Sequence, residues 1–156
     1  MADSHDNVRL VKNAVRLFKD AGCSLVIHAG DFVAPFAARE LESLGCPVKA
    51  VFGNCDGEKT GLEKTLSSFG EIRNAPLTFR HDDLHFLVTH VLSPLKLYLG
   101  SEKYDIVVFG HTHKPEVSQK RKVLLINPGE TGGWLSGRST VALLDTKTRS
   151  AEIITL

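Results

Sequence analysis

Short apolar runs that stop at a glycine and a polar residue of metal-ligand type constrain this chain most. Leu25-Val26-Ile27 runs into His28-Ala29-Gly30-Asp31, Val48 to Phe52 runs into Gly53-Asn54-Cys55-Asp56-Gly57, and Ile106-Val107-Val108-Phe109 runs into Gly110-His111-Thr112-His113. Such short, wholly apolar runs read as strands buried on both faces. Helical periodicity fills the gaps between the early ones. From Asn7 to Asp20, Val8, Val11, Val15 and Phe18 recur at helical spacing, with Gly22 placed as a C-cap. Pro35 suits a helix start, Phe36, Leu41 and Leu44 form an apolar stripe, and Gly45 can end it. A short helix from Gly61 to Phe69 is expected next. Strands alternating with helices imply a parallel sheet under helical cover.

The second half is richer in strands. Leu77 to Arg80 and Leu84 to Thr89 flank Asp82-Asp83, a tight hairpin. Val123 to Ile126, Val141 to Leu144 and Ile153-Ile154 are late strands, and Gly129 to Thr140 reads as a long loop. No repeat or low-complexity linker divides the 156 residues, so one domain over residues 1–156 is expected. The fold class is α/β, a layered sandwich with a mixed sheet core.

Charge and cysteine usage narrow the setting. Lys and Arg number 19 against 18 Asp and Glu, a balance that argues against a nucleic-acid groove, which needs a clustered basic face. No apolar run approaches the roughly 20 residues that span a bilayer, and Met1 to Asp6 is too acidic and polar for a signal peptide. Cys23, Cys46 and Cys55 match neither a disulfide framework nor a zinc ribbon. A reduced, cytoplasmic protein without membrane or nucleic-acid partners is expected.

The chemistry gathers at strand ends. Asp3, His5, Asp31, Asn54, His90, His111 and His113 all fall at strand–loop transitions, and in open α/β sheets sites form beyond the carboxyl ends of strands. Any one of them alone is more simply a turn residue or a hydrogen-bonded filler; joint placement makes the case. A nitrogen and oxygen set without thiolate suits divalent first-row metals. The glycines before Asp31, Asn54 and His111 let backbone turn close to an ion. His81 and His85, beside the hairpin, are assigned no role. His28 is a candidate to brace the ligands rather than to bind, and Cys23 and Cys46 are structural.

These motifs resemble a family. Asp3-Ser4-His5, Gly30-Asp31, Gly53-Asn54-Cys55-Asp56, Thr89-His90 and Gly110-His111-Thr112-His113 are similar, in order, to the motifs of the calcineurin-like metallophosphoesterases. Gly-Asn-Cys-Asp and Ile126-Asn127-Pro128-Gly129-Glu130 resemble the small prokaryotic phosphodiesterases of the YfcE type. The resemblance implies a four-layer αββα sandwich, its first strand truncated here, and two divalent metals. Asp3, His5, Asp31 and His113 would hold one, and Asp31, Asn54, His90 and His111 the other, with Asp31 shared. Manganese is the expected ion, with nickel, iron, zinc or cobalt as alternatives. Asp31, Asn54 and His90 are the implied catalytic residues, around a metal-bridging hydroxide that attacks phosphorus in line. Two cations roughly 3.5–4 Å apart suit that reaction.

Three departures refine what the resemblance implies. Larger members place a His after the motif Asn and an Asp three residues beyond the bridging one, to protonate the leaving group. Here Cys55 and Ala34 stand there, and a neutral thiol is a weak donor. Val91-Leu92 follows His90 where many relatives have Gly-His. Only Met1 and Ala2 precede Asp3, so Asp3 and His5 are expected to be loosely held, and the native product to carry further N-terminal residues. Two functions compete: a phosphodiesterase acting on small-molecule or nucleotide diesters with acidic leaving groups, and a catalytically weak or inactive scaffold on the same fold. Val91, Leu92, Leu95, Leu97 and Leu99 are candidates for core packing, for contact between copies in a homo-oligomer, or for a partner surface.

Overall fold

The computed structural model describes residues 1–93 and 104–156. Helix α1 (Val8–Asp20) buries Val11, Ala14, Val15 and Phe18 along one face, the stripe its periodicity predicts. Asn7 caps it by accepting from the Leu10 N–H, and Gly22 follows its end at φ 66°. Strand β1 (Val26–His28) comes next, then α2 (Pro35–Ala38), with Pro35 in the first turn. The chain tightens into a 3₁₀ helix over Arg39–Leu44, which ends at Gly45. The expected stripe is corrected here: Ala37, Ala38, Leu41 and Leu44 are buried, whereas Phe36 is 54% exposed. Five residues separate Phe36 from Leu41, about 140° round an α-helix, so the two cannot share a narrow face.

Strand β2 (Val48–Val51) lies parallel to β1, and helix α3 (Lys59–Leu66) buries Leu62 and Leu66. It leads into β3 (Gly70–Arg73), parallel to β2, with Val48 opposite Gly70. Apolar patterning misses β3, because Ile72 is its sole apolar side chain. Strands β4 (Leu77–His81) and β5 (Leu84–Val88) form the expected hairpin. Asp82 and Asp83 both take positive φ, 47° and 61°, as the twist of a two-residue hairpin favours. Strands β6 (Ile106–Val108), β7 (Glu116–Lys120) and β8 (Val123–Asn127) complete a five-stranded sheet of order β4-β5-β6-β8-β7. Its three central strands are parallel and both edges antiparallel. Strand β7 also escapes apolar patterning, since an edge strand with both faces in solvent needs no alternation. Strands β9 (Thr140–Asp145) and β10 (Ser150–Thr155) pair antiparallel.

The helices pack on the three-stranded sheet through Val15, Phe18, Leu41, Leu62, Val48 and Ile72. That sheet packs on the larger one through Ala29, Val51, Phe86, Val88, Val108 and Ile126. The far face of the larger sheet carries Leu87, Val107, Phe109 and Leu125, with Leu92 packed against them. Leu92 thus joins the core and Val91 is exposed; Leu95, Leu97 and Leu99 lie outside the described residues. Among the described residues no helix is long and apolar enough to cross a membrane.

The N-terminus departs from expectation. The segment before α1 forms no strand of its own, yet the Met1 ammonium donates to the Ile27 carbonyl at 2.8 Å, and the Ala29 N–H donates to the Met1 carbonyl at 3.0 Å. On the other side, the Thr131 and Gly132 N–H groups donate to the carbonyls of Ala2 and Asp3, both at 2.9 Å. Met1 through Ser4 are buried. Pairing on both edges therefore holds Asp3 firmly, against the loose attachment expected of a chain end.

Candidate metal centre

Parallel alignment of β1 with β2, and of β5, β6 and β8 in the other sheet, brings their carboxyl ends to one rim. Asp31 follows β1, Asn54 follows β2, His90 follows β5, and His111 and His113 follow β6. Asp3 and His5 reach the same rim from the N-terminal segment. All seven predicted ligands are thus brought together. His81 and His85 sit on the β4–β5 hairpin and take no part.

Asp31 is central. Its Oδ2 lies 3.3 Å from His90 Nε2 and 3.7 Å from His5 Nε2, while its Oδ1 accepts the Cys55 N–H at 2.8 Å. Burial alone would raise its pKa, but the contacts with His90 and Cys55 outweigh burial and hold the carboxyl well below the usual carboxylate range. Asp3 goes the other way: burial pushes it up to about 6 despite His90 and His113. Asp3 Oδ1 lies 3.5 Å from His113 Nε2, and its carboxylate accepts the His111 N–H.

Imidazole nitrogens converge on the site. His90 Nδ1 sits 2.8 Å from the Ala29 carbonyl, so that nitrogen carries the proton and donates. Its Nε2 then faces Asn54 Oδ1 at 2.9 Å, and His111 Nδ1 faces the same oxygen at 2.9 Å. Asn54 Nδ2 donates to Cys55 Sγ at 3.3 Å, which keeps its oxygen turned into the site. His5 Nε2 is buried without a hydrogen-bond partner, and the His5 and His113 rings stack with centroids 5.2 Å apart. Ligand atoms of Asp3, His5 and His113 fall within 4.8 Å of one another, as do those of Asp3, Asp31 and His90. Converging acceptors, an unpartnered buried imidazole nitrogen and shared carboxylates fit divalent cations.

Local backbone shape serves this packing. Asp3, His5, Asp31, His111 and His113 all have positive φ, between 41° and 70°. Each costs on the order of 1–3 kcal/mol for a residue with a Cβ, and such strain clusters at functional sites. Gly53 and Gly110 make room for the carboxylates: a methyl group on Gly53 would collide with the Asp31 carboxylate and N–H, and one on Gly110 would come within 2.7 Å of Asp3 Oδ2.

Several positioning residues carry no signal in the ligand pattern. Buried Asp56 accepts from the N–H groups of Gly53 and Val33 at 2.7 Å and of Asp31 at 3.1 Å. Asn127 donates to the Gly110 carbonyl and to Thr112 Oγ1, pinning the turn that bears His111 and His113. Glu130, wholly buried, lies 3.3 Å from His113 Nδ1. Their positions inside Gly-Asn-Cys-Asp and Asn-Pro-Gly-Glu were the only hint. His28 makes no hydrogen bond to a candidate ligand side chain; it accepts the Gly30 N–H and meets Ser4 Oγ at 3.0 Å. Cys55 is exposed, its thiol pushed up to about 11 by partial burial and Asp31, and therefore neutral near pH 7.

Comparison with known proteins agrees with this geometry. Residues 1–149 match the calcineurin-like phosphoesterase superfamily domain. The chain is 38% identical over 160 residues to Phosphodiesterase MJ0936 of Methanocaldococcus jannaschii, covering 100% of this chain and 96% of that protein. It is 26% identical over 142 residues to Phosphodiesterase YfcE of Escherichia coli, covering 82% of this chain and 75% of that protein. The solved structure of an archaeal phosphodiesterase superposes with a TM-score of 0.95 at 37% identity, covering 100% of this chain and 97% of that one. Fold, strand-end site and sequence together show that this chain belongs to the calcineurin-like phosphoesterase superfamily, a family of phosphoric ester hydrolases.

Proposed function

We propose that this protein is a divalent-metal-dependent phosphodiesterase, one domain over residues 1–156, acting on small-molecule or nucleotide diesters in the cytoplasm. The observation that carries the reading is the convergence of ligand atoms: His90 Nε2 and His111 Nδ1 both approach Asn54 Oδ1 to 2.9 Å, and His5 Nε2 is buried beside Asp31 without a hydrogen bond. With these imidazoles neutral and their lone pairs turned inward, a cation between them and the oxygens satisfies every group at once. Asp3, His5, Asp31 and His113 would hold one cation, and Asp31, Asn54, His90 and His111 the other; manganese is the expected ion. When bound, such a pair supplies Lewis acidity and lowers the pKa of water.

The chain's own residues do the rest. Asp31 reaches both imidazole groups and so serves both halves of the site. Asn54 contributes an oxygen without adding charge, which leaves the centre attractive to a phosphodiester anion. The Ala29 carbonyl locks His90 with its Nε2 inward. The positions that hold a leaving-group acid in larger members carry Ala34 and Cys55, and a thiol held at about 11 is a weak acid and a weak donor. Diesters with acidic leaving groups should therefore react faster than alkyl monoesters.

The test is metal analysis combined with a hydrolysis panel of aryl and nucleotide diesters and alkyl monoesters. Close to two manganese ions per chain and preferential diester turnover are expected. A fully metallated protein that cleaves no phosphoester would overturn the reading and leave a scaffold.

A further inference from the structure

The loop from Glu130 to Ser139 displays two large apolar side chains beside the site, Trp134 at 65% exposure and Leu135 at 79%. This loop is firmly built. The buried Glu130 carboxylate accepts the Leu135 N–H at 2.9 Å and the Ser136 N–H at 2.7 Å. Asn7 donates to the Gly132 carbonyl at 2.8 Å, and the Gly132 N–H donates to the Asp3 carbonyl. The Trp134 indole N–H donates to the His5 carbonyl at 3.0 Å. One edge of the ring is thus fastened to the backbone of a candidate ligand while much of its surface remains in water.

Single exposed apolar residues are ordinary on protein surfaces. Here the placement is not scattered. Trp134 lies against the backbone of His5, and Leu135 follows it on a loop anchored by Glu130, which is 3.3 Å from His113 Nδ1. A tethered aromatic plate next to an anion site matches a ligand with a phosphate at one end and a flat ring at the other. We propose that Trp134, flanked by Leu135, forms a subsite that stacks the aryl or nucleobase group of a phosphodiester bound at the centre. The proposal rests on the phosphodiesterase reading and names its substrate class. Stacking of a base on an aromatic side chain contributes about 1–3 kcal/mol, which is about 5- to 150-fold in affinity at 1.36 kcal/mol per decade.

Trp134 is the chain's one tryptophan, so its fluorescence reports on the subsite independently of turnover. Adenosine 5′-monophosphate added to the manganese-loaded protein should quench that fluorescence saturably, whereas ribose 5-phosphate should not. As inhibitors of diester hydrolysis, adenosine monophosphate should weaken at least about fivefold in Trp134→Ala, and ribose 5-phosphate should be unchanged. Trp134→Phe, which keeps a ring but loses the N–H bond to His5, should retain most of the difference. Equal quenching by both phosphates, equal weakening of both, or a Phe variant as impaired as the Ala variant would each overturn the subsite. Wild-type protein that is quenched selectively by adenosine monophosphate yet cleaves no diester would overturn the activity instead.

Discussion

Asp56→Asn tests whether the site is held by backbone hydrogen bonds to one buried carboxylate. Asp56 Oδ2 accepts from Gly53 at 2.7 Å and Asp31 at 3.1 Å, and Oδ1 accepts from Val33 at 2.7 Å. Asp56→Ala would leave these three N–H groups unpaired, at about 1–3 kcal/mol each. The sum, about 3–9 kcal/mol, is a large share of a domain's whole stability, about 5–15 kcal/mol, so the alanine variant should be severely destabilised. Asparagine is the informative change. Its single carbonyl oxygen can take over the Gly53 and Asp31 donors, while its amide group faces the Val33 N–H and loses that bond. The cost should be about 1–3 kcal/mol, or about 2–12 °C in Tm at about 2–4 °C per kcal/mol. Because the bonded segments carry Asp31 and Asn54, manganese affinity should fall about 10- to 100-fold. Thermal unfolding in chelator and calorimetric titration with manganese would measure the two effects. A variant with wild-type Tm and wild-type manganese affinity would refute the positioning role.

Other expectations follow from the same geometry. Asp31→Asn should reduce manganese content at both halves of the site, whereas His5→Ala should cost about one ion per chain, as read by metal analysis after desalting; full metal content and activity in Asp31→Asn would sink the shared assignment. Cys55→Ser should change diester turnover by less than about twofold, because a thiol held at about 11 is too weak an acid to protonate the leaving group effectively near pH 7; a large loss with metals intact would contradict this. Burial pushes His28 well below its usual value of 6.5, and its Nδ1 accepts the Gly30 N–H. The unfolded chain therefore binds more protons below pH 6.5, and the metal-free protein should lose stability as pH falls through that range, by up to about 1.4 kcal/mol per unit. Urea unfolding at pH 7 and 5.5 should show a smaller loss in His28→Gln; equal losses would exclude His28 as the source.

Much was legible because strand and helix periods are local. The stripe Val11, Val15, Phe18 announces α1, and the buried triplet Ile106 to Val108 announces β6, since burial on both faces leaves an unbroken apolar run. Where burial is partial the signal fades: β3 has one apolar residue and β7 is an exposed edge strand, and only their neighbours' backbone donors and acceptors make them strands. Phe36 read as core because composition suggested a stripe that the turn from α to 3₁₀ does not maintain.

The seven candidate ligands could be picked out from the chain alone, because each ends an apolar run and metal chemistry restricts their types. Their convergence could not. Asp3 and His113 lie far apart in sequence, and only the parallel alignment of strands from two sheets carries their side chains to within 3.5 Å. The hold on Asp3 was likewise decided by tertiary pairing, with β1 on one side and Thr131-Gly132 on the other. Asp56, Asn127 and Glu130 act mostly through backbone groups, and a hydrogen bond to a backbone N–H or carbonyl leaves no pattern of residue types behind. Trp134 reads as one more loop residue until the fold sets its indole against His5. Residue chemistry and local period are written in the chain, whereas distance, desolvation and the direction of a lone pair exist only once it has folded.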